Sequence, residues 1–149
     1  MAEDPRPLDV RKSDALRHLT DDKDLWISSG DISGIPTLVP LSFYWEGARL
    51  FVATVESNPT ARNIVASGRA TVGLGHTRDV VLIEAEARPL DPDELPAEAG
   101  DAYAAKCGWD PRTSKGYRFF ELVPVRIQSW RELNEHADRD LMLEGRWLV

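Results

Sequence analysis

A single cysteine, Cys107, limits what this sequence can build. One thiol forms no internal disulfide framework and cannot by itself make a structural zinc site. Its place in a helical stretch predicts a small buried or half-buried side chain. The scarcity of cysteine favours a reducing compartment, so we expect a cytoplasmic protein.

Positive charge and long apolar runs are also scarce. The 149 residues carry 18 Lys and Arg against 25 Asp and Glu, which gives a net charge of −7. An acidic surface repels phosphate backbones, so nucleic acid is not a predicted partner. No apolar run approaches the ~20 residues that a membrane-spanning helix needs, and the first ten residues lack the apolar core of a signal peptide. A membrane is therefore not a predicted partner either.

Familiar catalytic motifs are missing as well. The sequence has no G-x-S-x-G nucleophile elbow, no P-loop and no dinucleotide-binding fingerprint. Its three histidines, His18, His76 and His136, are isolated from one another, and no pair has the spacing of metal ligands. We therefore predict no metal site and name no catalytic residue.

What the sequence does contain is a succession of strand patterns. The clearest runs from Ile35 to Trp45, where side chains alternate with period two. Pro40 interrupts it without an N–H to donate, which predicts an edge, a bulge or a bend. Further strands are predicted over 25–29, 48–54, 70–75, 80–90, 117–123 and 125–130, the last two separated by Pro124, with a terminal hairpin turning at 144–145. About six principal strands with short links predict an antiparallel barrel, and a sandwich is the alternative.

Helical segments are predicted over 9–19, 59–67 and 97–107, and residues 1–8 are predicted to be a loose N-terminal arm of a single domain spanning 1–149. The predicted helix over 59–67 has the clearest start and end signals. Asn58 suits the N-cap, Pro59 suits the first helical position, and Gly68 suits the position just past the end.

The start of this helix is the candidate binding site. A helix N-terminus presents free N–H groups and a positive dipole end, which together favour an anion. The residues around it have hydroxyl, amide or guanidinium groups that can bond phosphate oxygens; they are Ser57, Asn58, Thr60, Arg62 and Asn63. An ordinary capped helix with a surface arginine is the alternative interpretation.

The stretch from Leu25 to Leu90 resembles the flavin-binding split-barrel proteins, the group that includes pyridoxamine 5′-phosphate oxidase and the deazaflavin-dependent reductases. The matching segments are GIPTLVPLSFYW at 34–45, LFVAT at 50–54, ARNI at 61–64 and DVVLIE at 79–84. The later segments RIQSWR at 126–131 and GRW at 145–147 are also similar to this group.

The resemblance implies a mainly β fold with short helices, a six-stranded antiparallel split β-barrel, and a homodimer with cofactor sites at the subunit interface. It implies FMN or its deazaflavin relative, coenzyme F-420, as the cofactor. The phosphate would meet the chain between Thr54 and Asn63, and the ring would lie along Val39, Pro40 and Leu41. Many members carry basic residues where this chain has Asn58 and Thr60, so the site has less positive charge than the family pattern.

Three functions remain open at this point. The first is an oxidoreductase that transfers a hydride to or from a small organic substrate, with substrate groups from the loop around Trp109, Lys115 and Tyr117 or from the partner chain. The second is a non-catalytic protein that binds or carries a flavin, a deazaflavin or haem. The third is a dimeric structural domain whose cofactor site has decayed.

Overall fold

The computed structural model describes residues 3–149, so the first two residues of the predicted N-terminal arm lie outside the described part. The helices are α1 (Leu8–Asp21), α2 (Pro59–Ser67) and α3 (Ala97–Cys107). The strands are β1 (Asp24–Gly30), β2 (Pro36–Trp45), β3 (Leu50–Val55), β4 (Arg69–His76), β5 (Asp79–Pro89), β6 (Tyr117–Trp130), β7 (Asp140–Leu143) and β8 (Arg146–Trp147). All three predicted helices and the terminal hairpin are confirmed.

Six of the strands close into an antiparallel barrel. Their order is β3-β2-β1-β4-β5-β6, and β3 pairs with β6 to complete the circle. Strands β7 and β8 extend the sheet beyond β6. The predicted six-stranded antiparallel barrel is confirmed, and the sandwich alternative is wrong, because the β3–β6 pairing joins the two ends of one sheet instead of leaving two stacked sheets.

Strand β6 is continuous, where the sequence predicted two strands divided at Pro124. Its first half pairs with β3, and residues Ile127 and Gln128 pair with β7. Opposite β5, the register moves from Glu84 facing Arg126 to Ala85 facing Pro124, which leaves Val125 as an extra residue. The proline therefore makes a bulge that bends the strand without ending it.

The barrel is split along one side of β2. This strand pairs with β1 from Pro36 to Ser42 and with β3 only from Phe43 to Trp45. The N–H of Phe43 donates to the carbonyl of Lys23 at 3.2 Å, so by alternation the nitrogen of Pro40 points away from β1. The predicted edge at Pro40 is confirmed, because the missing N–H falls where no neighbouring strand needs it.

Two apolar clusters hold the elements together. The larger fills the barrel with inward side chains such as Ile27, Phe43 and Val72, and α2 adds Ile64 to it. The smaller joins α3 to the outside of β3 and β6 through Tyr103 and other buried residues, which are Phe51, Ala53, Leu90, Ala99, Cys107 and Phe119. Cys107 is buried, as predicted, with its sulfur 3.7 Å from the carbonyl of Phe43. Helix α3 is thereby fixed beside the open side of β2.

The described part of the predicted arm is tied to the barrel through Arg6. Its guanidinium donates to both carboxylate oxygens of Glu135, at 2.9 and 2.7 Å, and to Asp14 at 2.8 Å. Glu135 is only 4 % exposed, so this ion pair lies in the interior between α1 and the segment after β6. Within residues 3–149, no helix combines the length and apolar character needed to cross a membrane.

Candidate functional site

The start of α2 keeps free hydrogen-bond donors. Asn58 occupies the N-cap position, but its side chain makes no capping hydrogen bond. Its amide nitrogen instead donates to the hydroxyl of Thr54 at 3.1 Å. Since an N-cap side chain would normally accept from the second or third helical N–H, here those of Thr60 and Ala61, both lack that acceptor. The helix start therefore presents donors and its positive dipole end to an anion.

The side chains around this helix start divide into two groups. Ser57, Asn58 and Arg62 are exposed, and Arg62 makes no side-chain hydrogen bond or ion pair with residues 3–149. Thr60 is only 2 % exposed, so its side chain turns into the protein. Asn63 is likewise buried. Of the predicted phosphate contacts, Ser57, Asn58 and Arg62 are the ones whose side chains can reach a ligand in solvent.

Asn63 supports the helix from inside. Its amide nitrogen lies 3.2 Å from the hydroxyl of Ser29 on β1 and 3.4 Å from that of Thr37 on β2. Both contacts are hydrogen bonds that join α2 to the two strands. The amide is therefore occupied in positioning the helix, where the sequence predicted a contact with the phosphate.

A cavity of about 390 Å³ opens where β2 is unpaired, between that strand and α3. Its walls combine the strand edge, the end of β3 and three aromatic residues; the lining residues are Asp24, Pro40, Leu41, Ser42, Ala53, Thr54, Asn58, Tyr103, Trp109 and Tyr117. Pro40, Leu41, Thr54 and Asn58, which the sequence proposed as cofactor contacts, meet here. Val39 is half-buried and packs against the barrel core instead. We refer to this cavity as the seam pocket.

The aromatic side of the seam pocket is what the sequence indicated least. Trp109 and Tyr117 pack edge to face with ring centroids 4.9 Å apart, and Tyr103 meets Trp109 at 6.5 Å. The sequence suggested Trp109, Lys115 and Tyr117 as substrate-binding groups, and Lys115 does not line the pocket. Tyr103 gave no signal, because its buried ring resembles any helix core residue.

The electrostatics of the seam pocket are simple. Asp24 is its only lining residue with a carboxylate or a basic side chain, and it accepts a hydrogen bond from the hydroxyl of Ser42 at 2.7 Å. Burial raises the pKa of Tyr103 well above its ordinary range, so the phenol stays neutral. The pocket therefore suits an uncharged group, whereas the helix start outside it suits an anion.

A larger open groove of about 920 Å³ crosses the outer face of β4, β5 and β6. Three glutamates and two arginines line it, and Arg88 contacts Glu121 at 3.2 Å. None of the cofactor contacts proposed from the sequence lines it. The seam pocket is the better candidate site because it brings four predicted contacts together beside a helix start with free N–H donors.

Comparison with solved structures supports the fold. A protein from Listeria innocua described as a pyridoxamine 5′-phosphate oxidase is 14 % identical with a TM-score of 0.63, and the match covers 85 % of this chain and 98 % of that one. An F-420 reductase is 16 % identical with a TM-score of 0.59, covering 74 % and 92 %. HutZ, the haem storage protein from Vibrio cholerae, is 15 % identical with a TM-score of 0.61, covering 80 % and 91 %.

These likenesses confirm at the level of the fold the resemblance seen in the sequence. The chain has the split-barrel fold of the pyridoxamine 5′-phosphate oxidase-like proteins. No protein-family model matches the sequence, and no curated protein matches it.

Proposed function

We propose that the protein is an oxidoreductase that binds FMN or a deazaflavin relative and transfers a hydride to or from a small organic substrate. The observation that carries the proposal is the juxtaposition of the seam pocket with the uncapped start of α2. The seam pocket offers space for an uncharged ring, and the start of α2 offers an anion site. Thr54 and Asn58, which line the pocket and bond to each other, connect the two. A flavin phosphate has this combination of an uncharged ring and an anionic tail.

The edge of β2 suits the ring of a flavin. Because odd-numbered residues of β2 bond to β1, the N–H groups of Leu38 and Ser42 and the carbonyl of Pro40 point into the open seam. Such alternating donors and acceptors match the pyrimidine portion of a flavin or deazaflavin, which alternates carbonyl oxygens with ring nitrogens. Leu41 and Ala53 supply apolar contact beside this edge.

The start of α2 suits the phosphate. The free N–H groups of Thr60 and Ala61 would donate hydrogen bonds to the phosphate oxygens, and Arg62 would add a charge-assisted bond worth about 1.5–3 kcal/mol. Ser57 can contribute a hydroxyl. The site has one arginine and no second basic side chain among residues 54–63, which supports modest rather than very tight binding.

When bound, the ring would accept or donate the hydride. The residues of this chain would orient the ring along β2, hold the phosphate at α2 and exclude water with the aromatic side of the pocket. Tyr103, held neutral by burial, keeps its hydroxyl 3.4 Å from the carbonyl of Ser42 and so fixes α3 against the edge of β2, where the ring would be oriented.

We also propose that two copies associate across the outer face of β1 and β2. Trp26, Ile35 and Leu38 are 53 %, 63 % and 62 % exposed, and Trp26 pairs in register with Pro40 of the seam pocket. An apolar strip of this kind favours burial against a partner, and its position would bring the second copy to the cofactor site. Sedimentation of the wild type and of Leu38→Glu tests this: a dimer that the charge dissociates is expected, and a monomeric wild type would overturn it.

Haem binding is the second candidate, because a haem storage protein shares the fold. The geometry of the seam pocket favours the flavin. None of the three histidines lines it, and the sulfur of Cys107 is buried against the carbonyl of Phe43, so the side chains that most often bind haem iron are not presented there.

Equilibrium titration with FMN, the deazaflavin and haemin, followed by tryptophan fluorescence, tests the proposal. We expect micromolar binding of FMN or the deazaflavin, weakened by Arg62→Ala. Arg17→Ala, an exposed arginine on α1, is the matched control and should bind like the wild type. Absence of binding of both flavins at ~100 μM, about −5.5 kcal/mol, would overturn the proposal. Binding of haemin alone would establish the alternative.

A further inference from the structure

We propose that Trp109 and Tyr117 are the residues that select the ring of the cofactor, by contacting its uncharged face inside the seam pocket. The inference rests on the proposed function and deepens it. Both residues belong to a stretch outside the part of the chain that carries the family resemblance between Leu25 and Leu90. The aromatic side of the pocket is therefore a feature of this chain's own α3–β6 segment.

The two aromatic rings are held in a fixed arrangement. Trp109 follows Gly108, which ends α3 with a φ of 80°, and Tyr117 begins β6. Their rings meet at 4.9 Å and 73°, an edge-to-face geometry that aromatic pairs prefer. Yet Trp109 remains 36 % exposed and Tyr117 remains 40 % exposed. Contacts within the chain leave these exposed parts of the two rings uncovered, and both residues line the seam pocket.

The loop that carries Trp109 is held in place by hydrogen-bonded ion pairs. Arg112 donates to the carboxylate of Asp110 at 2.9 Å and to that of Asp101 on α3 at 2.8 Å. It also lies so close to Gly100 that a Cβ there would be 2.5 Å from the guanidinium. The bare glycine lets the arginine lie flat on α3. These contacts pre-form the aromatic side, so little ordering of the loop opposes ligand binding.

The edge of β2, with Pro40 and Leu41, also lines the seam pocket. A planar group bound there would use its edge for backbone hydrogen bonds to β2, and Trp109 and Tyr117 would contact its face. Asp24 disfavours a negatively charged ring. Contacts with the ring and contacts with the phosphate are thus made by different residues, which makes the two contributions separable.

Binding of riboflavin, which has the ring but no phosphate, separates the contribution of the ring contacts from that of the phosphate contacts. Trp109→Ala and Tyr117→Ala should each weaken riboflavin and FMN by the same factor for the two ligands. Because the planes of the two rings differ by 73°, only one of them can stack on a planar ligand, and its loss should cost about 5- to 150-fold, the range for one stacking aromatic, while loss of the other costs less. Arg62→Ala should weaken FMN and leave riboflavin unchanged. Circular dichroism and thermal unfolding of each variant establish that it is folded.

Trp109→Phe keeps the inference testable even where Trp109→Ala fails to fold. A tryptophan in contact with a flavin quenches its emission by electron transfer, and phenylalanine does so far less. We therefore expect Trp109→Phe to bind riboflavin within a few-fold of the wild type while the bound flavin becomes brighter and longer-lived, with Tyr117, also an electron donor, keeping part of the quenching. Trp130→Phe, which changes a tryptophan at the opposite end of β6 from Tyr117, should leave the emission of the bound flavin unchanged.

Different results would overturn the proposed function and the role of the two aromatic residues. If wild-type protein binds neither FMN nor riboflavin, the proposed function is wrong. If the wild type binds both, but Trp109→Ala binds riboflavin equally well and Trp109→Phe leaves flavin emission unchanged, the proposed function stands and the ring-selecting role of Trp109 is overturned. Unchanged riboflavin affinity in folded Tyr117→Ala overturns the role of Tyr117.

Discussion

The amide of Asn58 donates to the hydroxyl of Thr54 at 3.1 Å and leaves the first N–H groups of α2 without a side-chain cap. The side chain at the N-cap position thus links the end of β3 to the helix instead of accepting a hydrogen bond from one of the first helical N–H groups. A helix start left in this state stays available to a ligand anion, and the cost to stability of the missing cap is about 1 kcal/mol.

Asn58→Asp should therefore separate stability from binding. A carboxylate at the helix start interacts favourably with the dipole, so the free energy of unfolding should stay equal or rise by about 0.5 kcal/mol. The same charge repels a phosphate, so FMN should bind roughly tenfold more weakly, a loss of about 1.4 kcal/mol. Urea unfolding and titration measure the two effects. Asn58→Ser is the uncharged control, and FMN affinity that is equal in both variants would contradict a phosphate at this end of α2.

Asn63→Leu should destabilise the fold. The substitution leaves the hydroxyls of Ser29 and Thr37 without their amide partner in a buried site, which costs about 1–3 kcal/mol. Urea unfolding measures the loss. The triple variant that adds Ser29→Ala and Thr37→Val removes the orphaned hydroxyls and should recover most of it. If the triple variant is less stable than the single one, the amide is not acting as a hydrogen-bonded support.

Arg6→Met should cost about 3 kcal/mol of stability, because it leaves the carboxylate of Glu135 buried without its main partner. Arg17→Met is the matched control. Arg17 also contacts Asp14, at 2.9 Å, but its side chain is 56 % exposed, so its loss should change stability by less than about 0.5 kcal/mol. Chemical unfolding of both variants compares them, and equal losses would show that the interior position of the Arg6 pair is unimportant.

The fold was predictable where the signals are local. The alternation along β2 depends only on residues close in sequence. So do the start and end signals of α2, which are Asn58, Pro59 and Gly68. The structure has both elements as predicted. Pro124 was misinterpreted because a proline ends or bulges a strand depending on its cross-strand partner. Here that partner is Ala85, which sequence periodicity does not reveal.

The site was predictable only in part, because its two sides come from distant segments. Thr54 and Pro40 lie on strands that the sequence predicts, and the resemblance of those strands to the family indicated both residues as cofactor contacts. The aromatic side reaches the pocket through the pairing of β3 with β6, which places Thr54 opposite Arg118 and Tyr117 beside it. The direction in which Thr60 points depends on how α2 packs on the barrel. The contact between Arg6 and Glu135 spans 129 residues and has no local signal.

His18 should make the stability of the fold depend on pH. Its Nδ1 lies 2.8 Å from Asp22, which caps the C-terminus of α1, and its Nε2 lies 3.0 Å from Asp79 on β5, which Arg131 also contacts. Both ring nitrogens can donate to these carboxylates only when the imidazole is protonated. Burial lowers the pKa of His18, but the hydrogen bonds to Asp79 and Asp22 outweigh it and raise that pKa above its ordinary value.

His18→Gln should therefore cost most stability at low pH. A raised folded-state pKa gives a contribution that is complete below the unfolded value, about 6.5, and that is lost as the pH rises through the folded-state pKa. We expect a loss of about 1–2 kcal/mol on substitution near pH 5.5, shrinking toward zero by pH 9. Urea unfolding across that range measures it, with the exposed residue changed in His76→Gln as the control. A loss that stays constant over this range would mean that His18 packs as a neutral ring, and the two carboxylates would then be held by Arg131 and solvent alone.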